Sequence, residues 1–118
     1  MIGKGIFEIE VNGEKVGFKF GMLASAHTEK ISGMGIFEVF KEMGEGKMLP
    51  VLHYFYGGAV AYALSKGHKE PNIDQVSDWI DVIGFSEAIR IYTESIQTYL
   101  PKNGQAPTNG AKELVSNV

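Results

Sequence analysis

The hydrophobic rhythm of the chain changes once, near residue 20. From Gly5 to Phe20 apolar positions alternate: Phe7, Ile9 and Val11, then Val16, Phe18 and Phe20. A period of two belongs to strands, whose alternate side chains share a face. Asn12-Gly13 divides the run and suits a type I′ turn, which needs φ > 0 at both central positions. That turn sets the register, with Phe7 opposite Phe18 and Ile9 opposite Val16. The pattern predicts a β-hairpin over 5–20. Two strands alone are marginal in water, so the hairpin must lie on the segments that follow or on another copy of the chain.

After Gly21 the spacing becomes helical. Short helices are predicted over 22–31 and 34–43, the second with Phe37 and Phe40 on its apolar side and the turn Gly44-Glu45-Gly46 behind it. The central helix spans 48–66, with Pro50 in its first turn and Gly67 as terminator. Leu52, Phe55, Tyr56, Ala59, Val60 and Ala63 mark its buried face. Asn72 with Gln75 forms a variant of the capping box, opening a helix over 73–83 with Val76, Trp79, Ile80 and Ile83 as its stripe. Gly84 stops it. Ser86 is expected to cap a last helix over 86–100, carrying Ile89, Tyr92, Ile96 and Leu100. Residues 101–118 are rich in turn formers and read as a flexible tail. The whole is an α+β fold: an N-terminal hairpin and a mainly helical domain of four to five helices within 1–100.

Composition narrows the function classes. A chain of 118 residues suits one domain. Net charge is −3 and the cations are scattered, which argues against a phosphate-neutralising nucleic-acid surface. The helices from Asn72 to Leu100 resemble a helix-turn-helix only in outline, because the second carries Arg90 beside Glu87 and Glu94. With no cysteine there is no disulfide, thiolate metal site or cysteine nucleophile. Residues 1–20 lack the apolar core of a secretory signal, and Met48–Leu64 is too interrupted for a membrane span.

Candidate chemistry is sparse. His27, His53 and His68 have no metal-ligand spacing. Asp74, Asp78 and Asp81 share one side of a helix and read as a solvated face. No Walker loop or Gly-x-Ser-x-Gly elbow is present. The expectation is a protein without catalytic residues, cofactor or metal. Gly57-Gly58 is the oddest local feature, since two glycines inside a helix cost about 1 kcal/mol each relative to alanine. Either another element packs closely there, or a kink or groove admits a partner helix. Tyr54, Tyr56, Tyr62 and Trp79 suit both cores and interfaces. Candidate partner-binding residues are therefore Tyr54, Gly57, Gly58, Tyr62, Trp79, Phe37 and Phe40.

The order of these elements resembles the tail assembly chaperones of long-tailed bacteriophages. The matching strings are the strands around Asn12-Gly13, the apolar helix Leu49-x-x-Leu-x-Tyr-x-Tyr-Gly-Gly-Ala59, the linker Lys69-Glu-Pro-Asn-Ile-Asp74, Val76-Ser-Asp-Trp-Ile-Asp-Val-Ile-Gly84, and the amphipathic helix ending near Leu100. The resemblance covers about residues 5–100 and rests on diffuse patterns, with no catalytic residues to carry over. It implies a non-catalytic chaperone of the host cytoplasm, absent from the mature virion. Such a protein binds the tape-measure protein and keeps it soluble while tail-tube subunits polymerise, with the tail tube protein as a second candidate partner. It also implies a programmed frameshift near the gene's end, and Leu100-Pro101-Lys102 is compatible with a C-CCA-AAA slippery run. Homo-oligomers through a hairpin edge are a further expectation. The competing readings are a structural head–tail or tail component retained in virions, and a small host-directed regulatory binding protein.

Overall fold

The computed structural model describes residues 5–99. Within them the chain is an α+β fold: an antiparallel hairpin followed by five helices. Strand β1 is Ile6–Val11 and β2 is Glu14–Lys19. The register is the one the turn dictates, with Phe7 opposite Phe18 and Ile9 opposite Val16. Asn12 has φ 52° and Gly13 φ 80°, as a type I′ turn demands.

The helices are α1 (Met22–Ser32), α2 (Ile36–Gly44), α3 (Met48–Lys66), α4 (Ile73–Ile83) and α5 (Phe85–Ile96). A 3-10 turn, Gln97–Tyr99, follows α5. The expected stop of α3 and start of α4 act as the sequence suggests. Gly67 takes the left-handed conformation after α3, and Asn72 and Gln75 exchange both bonds of the capping box, at 2.8 and 2.9 Å.

Three expectations are corrected. Helix α2 starts at Ile36, two positions later than predicted. Ser86 is not a cap: α5 begins at Phe85, and the Ala88 N–H already donates to the Gly84 carbonyl at 3.1 Å. The regular α-helix ends at Ile96 instead of continuing towards residue 100. The expected tail (101–118) and the candidate slippery site lie outside the described residues.

The core gathers around α3, which packs against α1, β2, α2 and α4. Its burial is broader than one face. Val51, Tyr54, Phe55, Gly57, Gly58 and Val60 to Ala63 are all buried, whereas Leu52 and Tyr56 are half-exposed. A helix apolar on all sides is an internal one. Aromatic rings tie it to the hairpin: Phe20 stacks on Tyr54 with centroids 4.5 Å apart, and Phe18 meets Phe55 edge-on at 5.0 Å.

Gly57 and Gly58 are explained by this packing. A Cβ on Gly57 would lie 2.1 Å from Thr28 Oγ1 and 2.5 Å from the Ala24 carbonyl oxygen, so α1 crosses at the distance of a missing side chain. A Cβ on Gly58 would lie 2.6 Å from the Phe20 ring. Both glycines face the chain's own α1 and hairpin, and the helix runs unbroken through them.

Candidate functional site

A cleft of about 770 Å3 opens between the turn end of the hairpin, α3, the loop 67–72 and the first two turns of α4. It exists because of three local facts. The turn carries β2 back along α3. Gly67 ends α3 abruptly. The capping box at Asn72 then starts α4 on a new course beneath the hairpin. Glu14 to Gly17 of β2 form one wall, and Tyr56, Ala59, Tyr62 and Ala63 of α3 form another. His68 to Asn72, Gln75 and Trp79 close the far side. The apolar surface comes from the two tyrosine rings, the alanines and the half-buried indole of Trp79, which meets Phe18 edge-on at 6.4 Å. Lys15, Lys69, Glu14 and Glu70, all exposed, give a rim of both charge signs.

Tyr62 is the ordered polar group of this wall. Its hydroxyl donates to Glu8 Oε2 at 2.6 Å, its ring lies against Gly17, and Lys66 stands 5.7 Å from its ring centroid. That hydrogen bond holds the Glu8 carboxyl below its ordinary value. Burial and the neighbouring carboxylate push the Tyr62 phenol up to about 12. At neutral pH the pair is therefore a fixed phenol–carboxylate strap between α3 and β1, with no proton to exchange.

The seven sequence candidates divide. Tyr62 and Trp79 line the cleft. Tyr54 and Phe40 are interior. The Tyr54 hydroxyl is 2.6 Å from Ser95 Oγ, burial raises its pKa well above the phenolic range, and Phe40 packs edge-on against Tyr54 and Tyr99. Gly57 and Gly58 are covered by α1 and Phe20. Phe37 is half-buried beside Phe40 on α2, away from the cleft lining. Of the seven, the structure brings only Tyr62 and Trp79 to the cleft, while Phe37, Phe40 and Tyr54 meet one another away from it.

Tyr56, Ala59, Gln75 and the segment 68–72 join the cleft although none is among the seven candidate partner-binding residues. Their signal was present in part: 56, 59 and 63 share one side of a helix, and a Gly-His-Lys-Glu-Pro loop beside them marks where the apolar cover stops. His53 departs from an ordinary histidine in one respect. Its Nδ1 is buried without a partner, and burial lowers its pKa. Among the described residues no cluster of three His, Asp or Glu side chains is placed to hold a metal, and no hydrogen bond joins His68 to Glu14 or Glu70 in the cleft. Asp74, Asp78 and Asp81 are exposed. No described helix is long and apolar enough to cross a membrane.

The arrangement can hold apolar side chains of a polypeptide between aromatic walls while its backbone and polar groups meet a mixed rim. Comparison with family models, with characterised proteins and with solved structures gives no match for the chain.

Proposed function

We propose that this chain is a non-catalytic tail assembly chaperone of a long-tailed bacteriophage, which binds the tape-measure protein and keeps it soluble while the tail tube forms. The observation that carries the reading is the open cleft, with aromatic and alanine walls and a rim of both charge signs. Such a surface suits polypeptide side chains. The sequence strings that resemble the chaperones supply the particular client. A long helical client exposes apolar stripes until it is enclosed, and contiguous apolar surface drives aggregation unless something covers it. A small acidic protein can cover such stripes and still repel its own copies. Weak contacts repeated along the client would add through avidity. On this reading the protein works in the host cytoplasm and leaves before the virion matures. Tail tube protein is the second partner to test.

Co-expression with the tape-measure protein encoded downstream tests the proposal. Recovery of soluble tape-measure protein on this chain, and absence of the chain from purified virions, is the expected result. Tape-measure protein that stays insoluble and unbound, both with this chain and with any frameshifted product, would overturn it. Retention in virions would favour the structural-component reading instead.

A further inference from the structure

The two edges of the hairpin are not equivalent. In an antiparallel pair, residues alternate between those that exchange hydrogen bonds and those whose N–H and C=O point away. The Phe20 N–H donates to the Gly5 carbonyl at 2.7 Å, which fixes the phase. With the observed register, Phe7, Ile9 and Val11 bond to β2, while Ile6, Glu8 and Glu10 direct their backbone groups outward. Among the described residues no hydrogen bond reaches those outward groups.

Beside β2 the situation is different. Val16, Gly17 and Phe18 are buried, and Tyr62 of α3 lies over Gly17, where a Cβ would be only 2.7 Å from its ring. Along β1, Ile6, Phe7, Glu8 and Ile9 are half-exposed and Glu10 is exposed, although three of the five are apolar. Helix α4 packs under β1 and leaves Ile80 and Ile83 half-exposed as well. Helix α3 thus covers the middle of the β2 edge at Gly17, although Lys15 and Lys19 are exposed, while the β1 edge lies open and is accompanied by incompletely covered apolar side chains.

We infer that β1 is a docking edge for an extended segment of a protein partner, one that alternates basic and apolar residues. The backbone row selects a strand, because an extended peptide satisfies it and a helix does not. The alternation follows from the two faces of β1. Residues opposite Phe7 and Ile9 would point inward over α4 and should be apolar. The residue opposite the exposed Glu10 should be Lys or Arg, since opposite charges across a strand pair stabilise and like charges destabilise, whereas Glu8 is already held by the Tyr62 hydroxyl and lies 3.8 Å from Lys15. The same two carboxylates disfavour a second copy as occupant: a two-fold pairing centred on Glu8 would set the Glu8 side chains of both copies against each other. The inference rests on the chain being a binding protein, but not on the identity of its client, so it can fail while the tape-measure reading stands.

The test uses the full chain and a labelled short peptide alternating valine and lysine. Two further versions are N-methylated, one at the positions whose N–H would face β1 and one at the positions whose N–H would face away. The expected result is saturable binding that falls about tenfold for each blocked N–H on the β1-facing side and is unchanged by methylation on the other. Glu10→Pro, which removes an outward N–H from an edge strand, should weaken binding by about tenfold with an unaltered circular dichroism spectrum. Glu10→Lys, which leaves the Tyr62–Glu8 bond in place, should transfer preference to the alternating valine–glutamate peptide. Binding that ignores the methylation pattern, or no binding to the intact chain, would overturn the proposal. So would light scattering that shows a dimer dissociated by Glu10→Pro, since the occupant would then be a second copy.

Discussion

The two strands of the hairpin have the same apolar rhythm and opposite fates. Three consecutive residues of β2 are buried, whereas β1 from Ile6 to Glu10 has none. The difference does not lie in the strands. It lies in α3, which packs along β2 and reaches β1 through the Tyr62–Glu8 hydrogen bond. Gly58 admits Phe20, Gly17 admits the Tyr62 ring, and Gly57 lets α1 close from the other side. Absent side chains therefore seal one side of the molecule. Two separate surfaces stay open: the β1 edge with the half-exposed residues of α4, and the cleft walled by β2, α3 and the loop 67–72.

That contrast can be broken most severely at the sealed side. Gly57→Ala would put a methyl group against the Ala24 carbonyl and Thr28, neither of which can retreat without moving α1. Even with the helix propensity gained, a loss of about 3 kcal/mol in chemical denaturation is expected. Gly17→Ala would strike both the Tyr62 ring and the Phe7 carbonyl oxygen, 2.8 Å away, and about 2 kcal/mol should be lost. Tyr54→Phe removes the hydroxyl that meets Ser95 in the interior. Ser95 keeps its bond to the Tyr92 carbonyl, so the loss should be about 1 kcal/mol.

Tyr62→Phe is a finer probe, because its effect depends on pH. Glu8 is depressed below its ordinary 4.5 by the Tyr62 bond, so the stability it contributes is present above that value and is lost as pH falls through the lower folded value. Tyr62 is raised from 10.0 to about 12, so its contribution is present below 10.0 and is lost as pH rises through about 12. Thermal melts of the wild type should therefore fall off at both ends. Tyr62→Phe should lie a few degrees lower at neutral pH and show a flatter profile at both extremes. At the open edge the same measurement should register almost nothing: Glu10→Ala is expected to stay within about 0.5 kcal/mol of the wild type.

The hairpin could be read from the sequence because its determinants are local. Asn12-Gly13 fixes the turn, and the turn fixes which residues face each other. The capping box at Asn72 and the stop at Gly67 are local in the same sense. The start of α5 was less legible: Ser86 has a capping side chain, yet Gly84 already presents its carbonyl to Ala88 and the helix begins one residue before Ser86. The cleft was legible only in part. Helix α3 is apolar nearly all round, so its periodicity does not say which side meets α1 and which stays open. Tyr62 and Glu8 are 54 positions apart, and nothing in either segment announces their bond. The sealed glycines were recognisable as a cost that required an explanation, and the explanation proved to be Thr28, Ala24 and Phe20 of the chain itself.

Hydrogen–deuterium exchange of the chain, alone and in complex with the tape-measure protein, tests the account most directly. The account predicts new protection along β1 at Ile6, Glu8 and Glu10 and in the segments bordering the cleft, with the α1–α3 contact already protected and unchanged. New protection confined to the exposed starts of α1 and α3, at Met22, Leu23, Met48 and Leu49, would contradict it and place the client on the opposite side of the molecule.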